Sequence, residues 1–369
     1  MFVNVDWFFL SHRLPVAKAA KKNNVDMTVY AEFTQAHDRQ QNKGYSFLNS
    51  PLKRSSKSII HFVVEFFQVF KIILNSKPNI IHAVTIKPIL VLGIIARITS
   101  TPFIGSVSGL GPAFLSDSLI KKLRLKLILI TLRLICSRKD VVIICQTQHD
   151  REVLINHKLL LRSQILLIKG SGVDIELFNP AKKDTSVKKY ILMSSRVLLD
   201  KGIHDFCIAA EKVQKKYGND IKFKISGPID NLSPSAISKN EITQLVKKYR
   251  VEYLGNRSDM PELLASALIF VLPSYYPEGL PKVLLEAAAS GVPIITTDHP
   301  GCRDAIVNRK TGLLVPIKDP ESLASAILEL LMDNNLLINM GKNARSLAEK
   351  SFKDSSVVNS HYSLYHQFK

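Results

Sequence analysis

From end to end of this chain, short apolar runs rich in Val, Ile, Leu and Phe alternate with longer stretches of helical periodicity. That order leaves few architectures open, because a strand, a helix and a second strand in succession build a parallel sheet with helices on its faces. In the first half the strand-like runs fall at 2–5, 26–31, 79–83, 102–107, 140–145 and 164–168. In the second they fall at 190–194, 221–226, 251–254, 268–272, 293–296 and 312–315. The pattern predicts an α/β fold of two Rossmann-like domains, each with its ligand site at the carboxyl ends of its strands. At 369 residues two cores are the ordinary expectation. The segment 170–180 and the aperiodic polar stretch 182–189 suit a linker. The expected domains are 1–170 and 171–350, followed by a helix over 351–369. The first strand is short, as if the sheet were trimmed at that edge.

With 46% apolar and 22% charged residues the chain is globular, not disordered. Its net charge of +19 is concentrated in residues 1–180 and attracts polyanions, whether nucleic acid, anionic lipid or phosphorylated substrates. Against nucleic acid, the sequence has no aromatic-interleaved basic strands, no helix-turn-helix pattern and no zinc site. Four scattered cysteines, Cys136, Cys145, Cys207 and Cys302, lack metal-ligand spacing and suit a reducing, cytoplasmic setting. The longest apolar run, 89–96, falls far short of the roughly 20 residues of a spanning helix. Peripheral attachment is a different matter. A helix over 118–135 puts Leu119, Leu123, Leu127, Ile130 and Leu134 on one stripe beside Lys122, Lys126 and Arg133, which suits either a cover for the sheet or an anionic membrane surface. A second helix, over 58–74, is rich in Phe, Val and Ile and reads as a sheet cover.

The chemistry concentrates in Pro273-Ser-Tyr-Tyr-Pro-Glu278-Gly-Leu-Pro-Lys-Val-Leu-Leu-Glu286-Ala-Ala-Ala-Ser-Gly-Val-Pro-Ile-Ile. A strand ends, a Pro- and Gly-rich turn follows, and a helix starts near Pro281. Its free N–H groups suit a diphosphate. Glu278 before the helix and Glu286 within it suit sugar and ribose hydroxyls, since one carboxylate accepts two hydrogen bonds.

That string, with 170–180, Ser194-Ser-Arg196-Val-Leu-Leu-Asp-Lys201-Gly202 and Pro300-Gly-Cys-Arg-Asp304, resembles the retaining glycosyltransferases of family 4, which have the GT-B fold, two Rossmann-like domains facing a cleft. Glu, seven residues, then Glu is that family's mark. In the first half, Asn4-Val-Asp-Trp-Phe-Phe-Leu-Ser-His-Arg-Leu-Pro15, His82-Ala-Val-Thr-Ile-Lys-Pro88 and Ser108-Gly-Leu-Gly111 resemble the branch that extends polyprenyl-diphosphate-linked sugars in bacterial polysaccharide assembly.

The resemblance implies that Arg196 and Lys201 clamp the donor diphosphate, Glu278 meets the donor hexose, Glu286 the ribose, the N–H groups near Gly279 and Leu280 the phosphates, and Asn256 and Arg257 the base. Such enzymes need no cofactor and no protein nucleophile. No Asp-x-Asp metal motif occurs in the chain, so the two cations are expected to do what a metal does elsewhere. The implied partners are a UDP-sugar donor, a lipid-linked saccharide acceptor and the cytoplasmic face of the inner membrane, with no nucleic acid. The C-terminal helix is expected to pack back on the first domain. On the acceptor side stand Asp6, His12, Arg13, Lys87, Ser108, Gly109 and Gly111. Many family members carry a histidine where this chain has Ser108, which leaves His12 and His82 as other candidates for a base. Two other classes compete: a nucleotide-sugar epimerase of the same fold and, more remotely, a nucleic-acid-binding protein.

Overall fold

The computed structural model describes residues 1–34, 45–54, 59–110, 119–157, 161–182, 190–218, 220–231, 233–276 and 279–368. Two compact units emerge, Met1–Ser171 with Ser355–Lys369, and Gly172–Asp354.

The first unit holds seven strands, β1 (Phe2–Val5), β2 (Thr28–Glu32), β3 (Ser46–Asn49), β4 (Ile81–Val84), β5 (Phe103–Val107), β6 (Val141–Cys145) and β7 (Ile165–Leu167). They pair in parallel in the order β3-β2-β1-β4-β5-β6-β7. The second unit holds β8 (Tyr190–Ser194), β9 (Lys222–Ser226), β10 (Glu252–Tyr253), β11 (Ile269–Leu272), β12 (Ile294–Thr297) and β13 (Gly312–Val315). Their order is β10-β9-β8-β11-β12-β13, again all parallel. A parallel sheet is covered on both faces, so its inner strands need no polar side. Every residue of β5, β6, β11 and β12 is accordingly buried. The strand order reverses between β1 and β4 and again between β8 and β11, and such reversals open the ligand crevice of an α/β sheet.

Two expectations change. The short first strand is not at an edge: β1 lies between β2 and β4, and it ends at Val5 because the helix Asp6–His12 begins at once. The real edge, β3, left little trace in the sequence, since its four residues are mostly exposed and show no apolar alternation.

The helices Ile59–Ser76, Ile86–Ile98 and Leu119–Cys136 lie together on one face of the first sheet. They share a core cluster through Val69, Ile73, Ile89, Ile95, Ile128 and Leu132. On the other face Phe9, Val16 and Ala17 pack with Val357, Leu364 and Tyr365 of the C-terminal helix Asp354–Gln367. Leu119–Cys136 turns Ile128, Leu132 and Ile135 inward, and the stripe Leu119, Leu123, Leu127, Ile130 and Leu134 faces out. The helix is apolar around most of its circumference, so periodicity alone did not fix which side met the sheet.

Candidate active site

In the second unit, two backbone turns converge beyond β8 and β11. Gly202 has φ +76, and a Cβ there would lie 2.2 Å from the Pro273 carbonyl oxygen, so only glycine lets the segment after β8 approach the one after β11. The approach is then laced by hydrogen bonds. The Tyr275 N–H donates to the Asp200 carbonyl at 3.0 Å, the Tyr275 hydroxyl to the Leu199 carbonyl at 2.9 Å, and Ser274 Oγ to the Asp200 carbonyl at 3.3 Å. Lys201 closes a short 3-10 turn, Leu199–Lys201, and the helix itself begins at Ile203. Its side chain is buried, with Nζ 5.4 Å from the centre of the Tyr276 ring. The residues after the two strands are thus brought together beside Lys201.

Arg196 stands just past β8. Its Nη1 donates to Asp230 Oδ2 at 2.6 Å, a charge-assisted bond that aims the guanidinium. Gly227 permits this arrangement: a Cβ there would fall 1.7 Å from the Ser195 carbonyl oxygen. Glu286, on the helix Lys282–Ala289, is largely buried, with Lys282 Nζ 3.8 Å away. Burial pushes its carboxyl up from the ordinary value, and Lys282 partly opposes this. Leu280 is buried beside the helix start. Asn256 and Arg257 are exposed beyond β10, where Arg257 forks onto Asp259 at 2.8 and 2.5 Å. Glu278 and Gly111 lie outside the described residues.

In the first unit the predicted acceptor residues follow the carboxyl ends of β1, β4 and β5, but several are engaged locally. Asp6 is fully buried and accepts from the Thr34 N–H at 2.7 Å and the Thr34 hydroxyl at 2.5 Å. His12 stacks on Phe8, ring centres 4.2 Å apart, and its Nδ1 meets Ser11 Oγ at 2.6 Å. Lys87 donates to Glu65 at 2.8 Å and to the Lys53 carbonyl at 2.7 Å. His82 uses both ring nitrogens, Nδ1 with the Tyr365 hydroxyl at 2.7 Å and Nε2 with Ser106 Oγ at 2.8 Å. Burial, then the neighbouring His361 and Arg13, hold it well below the usual histidine range, so His82 is a neutral core residue and not an accessible base.

Other groups there have no partner among the described residues. Arg13 is 1% exposed, and all three guanidinium nitrogens lack an acceptor. Burial lowers its pKa to about 10, against an opposing contribution from Tyr365. The buried hydroxyl oxygens of Thr85, past β4, and Ser108, past β5, are likewise unpartnered. Gly109 has φ +97. Thr85 sits at φ +76, an outlier for a β-branched residue and the kind of strain that gathers at functional sites. Sequence reasoning did not single out Thr85, Asp230 or Tyr276. Two of them had a visible signal, Tyr276 in the string before Glu278 and Thr85 in the string 82–88, and Asp230 had none.

Two family models match the chain, Glycosyl transferases group 1 over residues 175–347 and Glycosyl transferase 4-like over residues 1–151. The N,N'-diacetylbacillosaminyl-diphospho-undecaprenol alpha-1,3-N-acetylgalactosaminyltransferase of Campylobacter jejuni is 28% identical over 357 residues, covering 91% of this chain and 92% of the relative. The UDP-Gal:alpha-D-GlcNAc-diphosphoundecaprenol alpha-1,3-galactosyltransferase of Escherichia coli is 28% identical over 320 residues, covering 84% and 80%. Among solved structures, Anabaena HepE in complex with UDP superposes with a TM-score of 0.78 at 17% identity over 99% of both chains. WaaG, a glycosyltransferase involved in lipopolysaccharide biosynthesis, does so at 0.74 and 15%, over 94% of this chain and 93% of that one. At such identities the likeness speaks for the fold.

Proposed function

We propose, from the premise that this chain belongs to the glycosyltransferases, with a group 1 second half and a family 4-like first half, that it moves an N-acetylhexosamine or a related sugar from a UDP-linked donor to a polyprenyl-diphosphate-linked saccharide, with retention at the anomeric carbon. The observation that carries the donor side is the lacing of the 199–201 turn to residues 274–276. It supports a site in which Arg196 and Lys201 face the diphosphate and Glu286 holds the ribose, with Glu278 on the hexose and the base near Asn256 and Arg257. The N–H groups at Gly279 and Leu280, close to a helix start, add to the anion site.

In the proposed step an acceptor hydroxyl oxygen bonds to the anomeric carbon on the face from which the diphosphate leaves. The bond from that carbon to the phosphate oxygen breaks, and the acceptor proton passes to the departing phosphate. Charge develops on the leaving group, where fixed cations stabilise it most. We assign that role to Arg196 and Lys201 and not to a divalent metal. Arg13, Thr85, Ser108 and Gly109 are the first unit's acceptor-side residues in this reading. Asp6, His12 and Lys87 shape that side through the contacts described. Because a lipid-linked acceptor stays in the bilayer, attachment at a membrane surface is part of the proposal, with the exposed cations Lys122, Lys126 and Arg133 drawing the protein there. Each contributes about 1 kcal/mol near an anionic surface.

Nucleotide sugars supplied with a polyprenyl-diphosphate saccharide, followed by product mass and anomeric configuration, test the reading. One UDP-N-acetylhexosamine should be consumed, the product should keep the donor configuration, and turnover should persist in EDTA. Glu278→Ala should abolish transfer in a protein that still folds. Interconversion of donors without acceptor would instead make the protein an epimerase.

A further inference from the structure

The first sheet's three-helix face has an unusual exterior. The helix Ile59–Ser76 carries IIHFVVEFFQVFKIILNS and, among its described side chains, turns only Glu65, Val69 and Ile73 fully inward. Along its outer side Ile60 is 76% exposed and Phe67 62%, and Phe62, Val63, Val64 and Leu74 are exposed with them. On the same face of the sheet, Leu119–Cys136 shows Leu119 at 83% and Leu123 at 60%, followed by Leu127, Ile130 and Leu134. The helix Ile86–Ile98 packs against both and adds exposed Ile98. Exposed apolar side chains gathered on two helices of one sheet face mark an interaction site.

The two outer helices differ in charge. Leu119–Cys136 contains Lys121, Lys122, Arg124, Lys126 and Arg133 and no acidic residue. Ile59–Ser76 contains one acid, Glu65, which is buried against Lys87, and one lysine, Lys71. A protein partner would be expected to pair the cations of the basic helix with acidic groups set at matching positions. An anionic bilayer meets both helices at once, with headgroups for the cations and acyl chains for the Phe, Val and Ile side chains. We infer that this face seats in an anionic lipid bilayer through both helices, with the near-neutral helix Ile59–Ser76 entering the acyl boundary and Leu119–Cys136 lying along the headgroups. The inference rests on the lipid-linked acceptor proposed above and extends it to an apolar anchor that salt does not screen.

Vesicles of phosphatidylglycerol and phosphatidylcholine without any acceptor test it independently of transfer. Wild-type protein should co-sediment at low salt and keep a clear fraction of that binding in high salt, where the Debye length shrinks to about 3 Å. Ile60→Ser, Val64→Ser and Phe67→Ser combined should weaken binding at least tenfold and abolish the salt-resistant fraction, with transfer to a short-chain soluble acceptor unchanged. As a check that does not depend on how the triple variant folds, the single substitution Phe67→Trp should add indole emission that shifts to the blue on vesicle addition and is quenched by acyl-brominated lipid. Added emission that neither shifts nor is quenched, wild-type-like vesicle binding by the serine variant, or a dimer in solution that the serine variant splits without loss of vesicle binding would each overturn the inference. Vesicle binding without any sugar transfer would leave it standing and count against the proposed function instead.

Discussion

Arg196 illustrates how a single side chain is prepared for its work. A guanidinium on a loop has many rotamers, and the bond to Asp230 at 2.6 Å selects among them before any donor arrives. Asp230→Ala should therefore raise the donor KM by about tenfold, in line with the roughly 1.5–3 kcal/mol of a charged hydrogen bond, and shift the melting temperature little, because the pair is partly solvated. Equal donor KM values in titrations of the two proteins would remove Asp230 from the site. Glu286 makes a prediction about pH. Its carboxyl is held above the usual range by burial, and accepting two ribose hydroxyl bonds requires the ionised form. Donor affinity should thus decline on acidification from a higher pH than an ordinary carboxylate would impose, and Glu286→Gln should bind donor weakly with that acidic limb gone. The sign for stability is opposite. A carboxyl whose folded pKa is raised contributes stability below its unfolded pKa and loses it as pH rises through the folded one. Ligand-free Glu286→Gln should consequently be more stable than the parent at neutral pH, with the difference fading below about pH 4, as denaturant titrations at both pH values would reveal.

Elements show why some of this was readable from the chain and some was not. Strands such as β5 and β6 announce themselves, since burial on both faces demands unbroken apolar runs, whereas β3 has an edge position and no such demand. The turn after β11 was legible because Pro and Gly restrict the backbone locally. Asp230 was not, because its value lies in a partner 34 residues away. Lys87 looked like an acceptor residue by position. What the linear pattern hid was Glu65, the lone acid on an apolar helix, spaced with Val69 and Ile73 to face inward. Breaking one side of that pair strands a buried charge. Lys87→Met should cost about 1–2 kcal/mol in chemical denaturation, a figure discounted for the partly exposed ammonium, and Glu65→Leu with Lys87→Met should restore most of the loss. Additive losses in the double variant would show that Lys87 does not act through Glu65.

For the whole molecule, the chain leaves the first unit at Ser171 and re-enters it at Ser355. The returning helix supplies Val357, Leu364 and Tyr365 to the core and gives His82 one of its two hydroxyl partners. Truncation after Asp354 should abolish the thermal transition of the first unit and preserve that of the second, so calorimetry would record one transition where the full chain gives two. Two intact transitions in the truncated protein would refute this. The threading also sets a schedule for biosynthesis. Domains generally fold in the order in which they leave the ribosome, N-terminal first. Here residues 355–368 are translated only after all of 172–354, so the first-made sheet must wait with one face only partly covered, by the helices that carry Phe9, Val16 and Ala17, while the later-made domain, whose segments are contiguous, closes ahead of it. During that interval, the nascent first half presents apolar sheet and helix surface at once, and is the stage at which a chaperone or a nearby bilayer has most to hold.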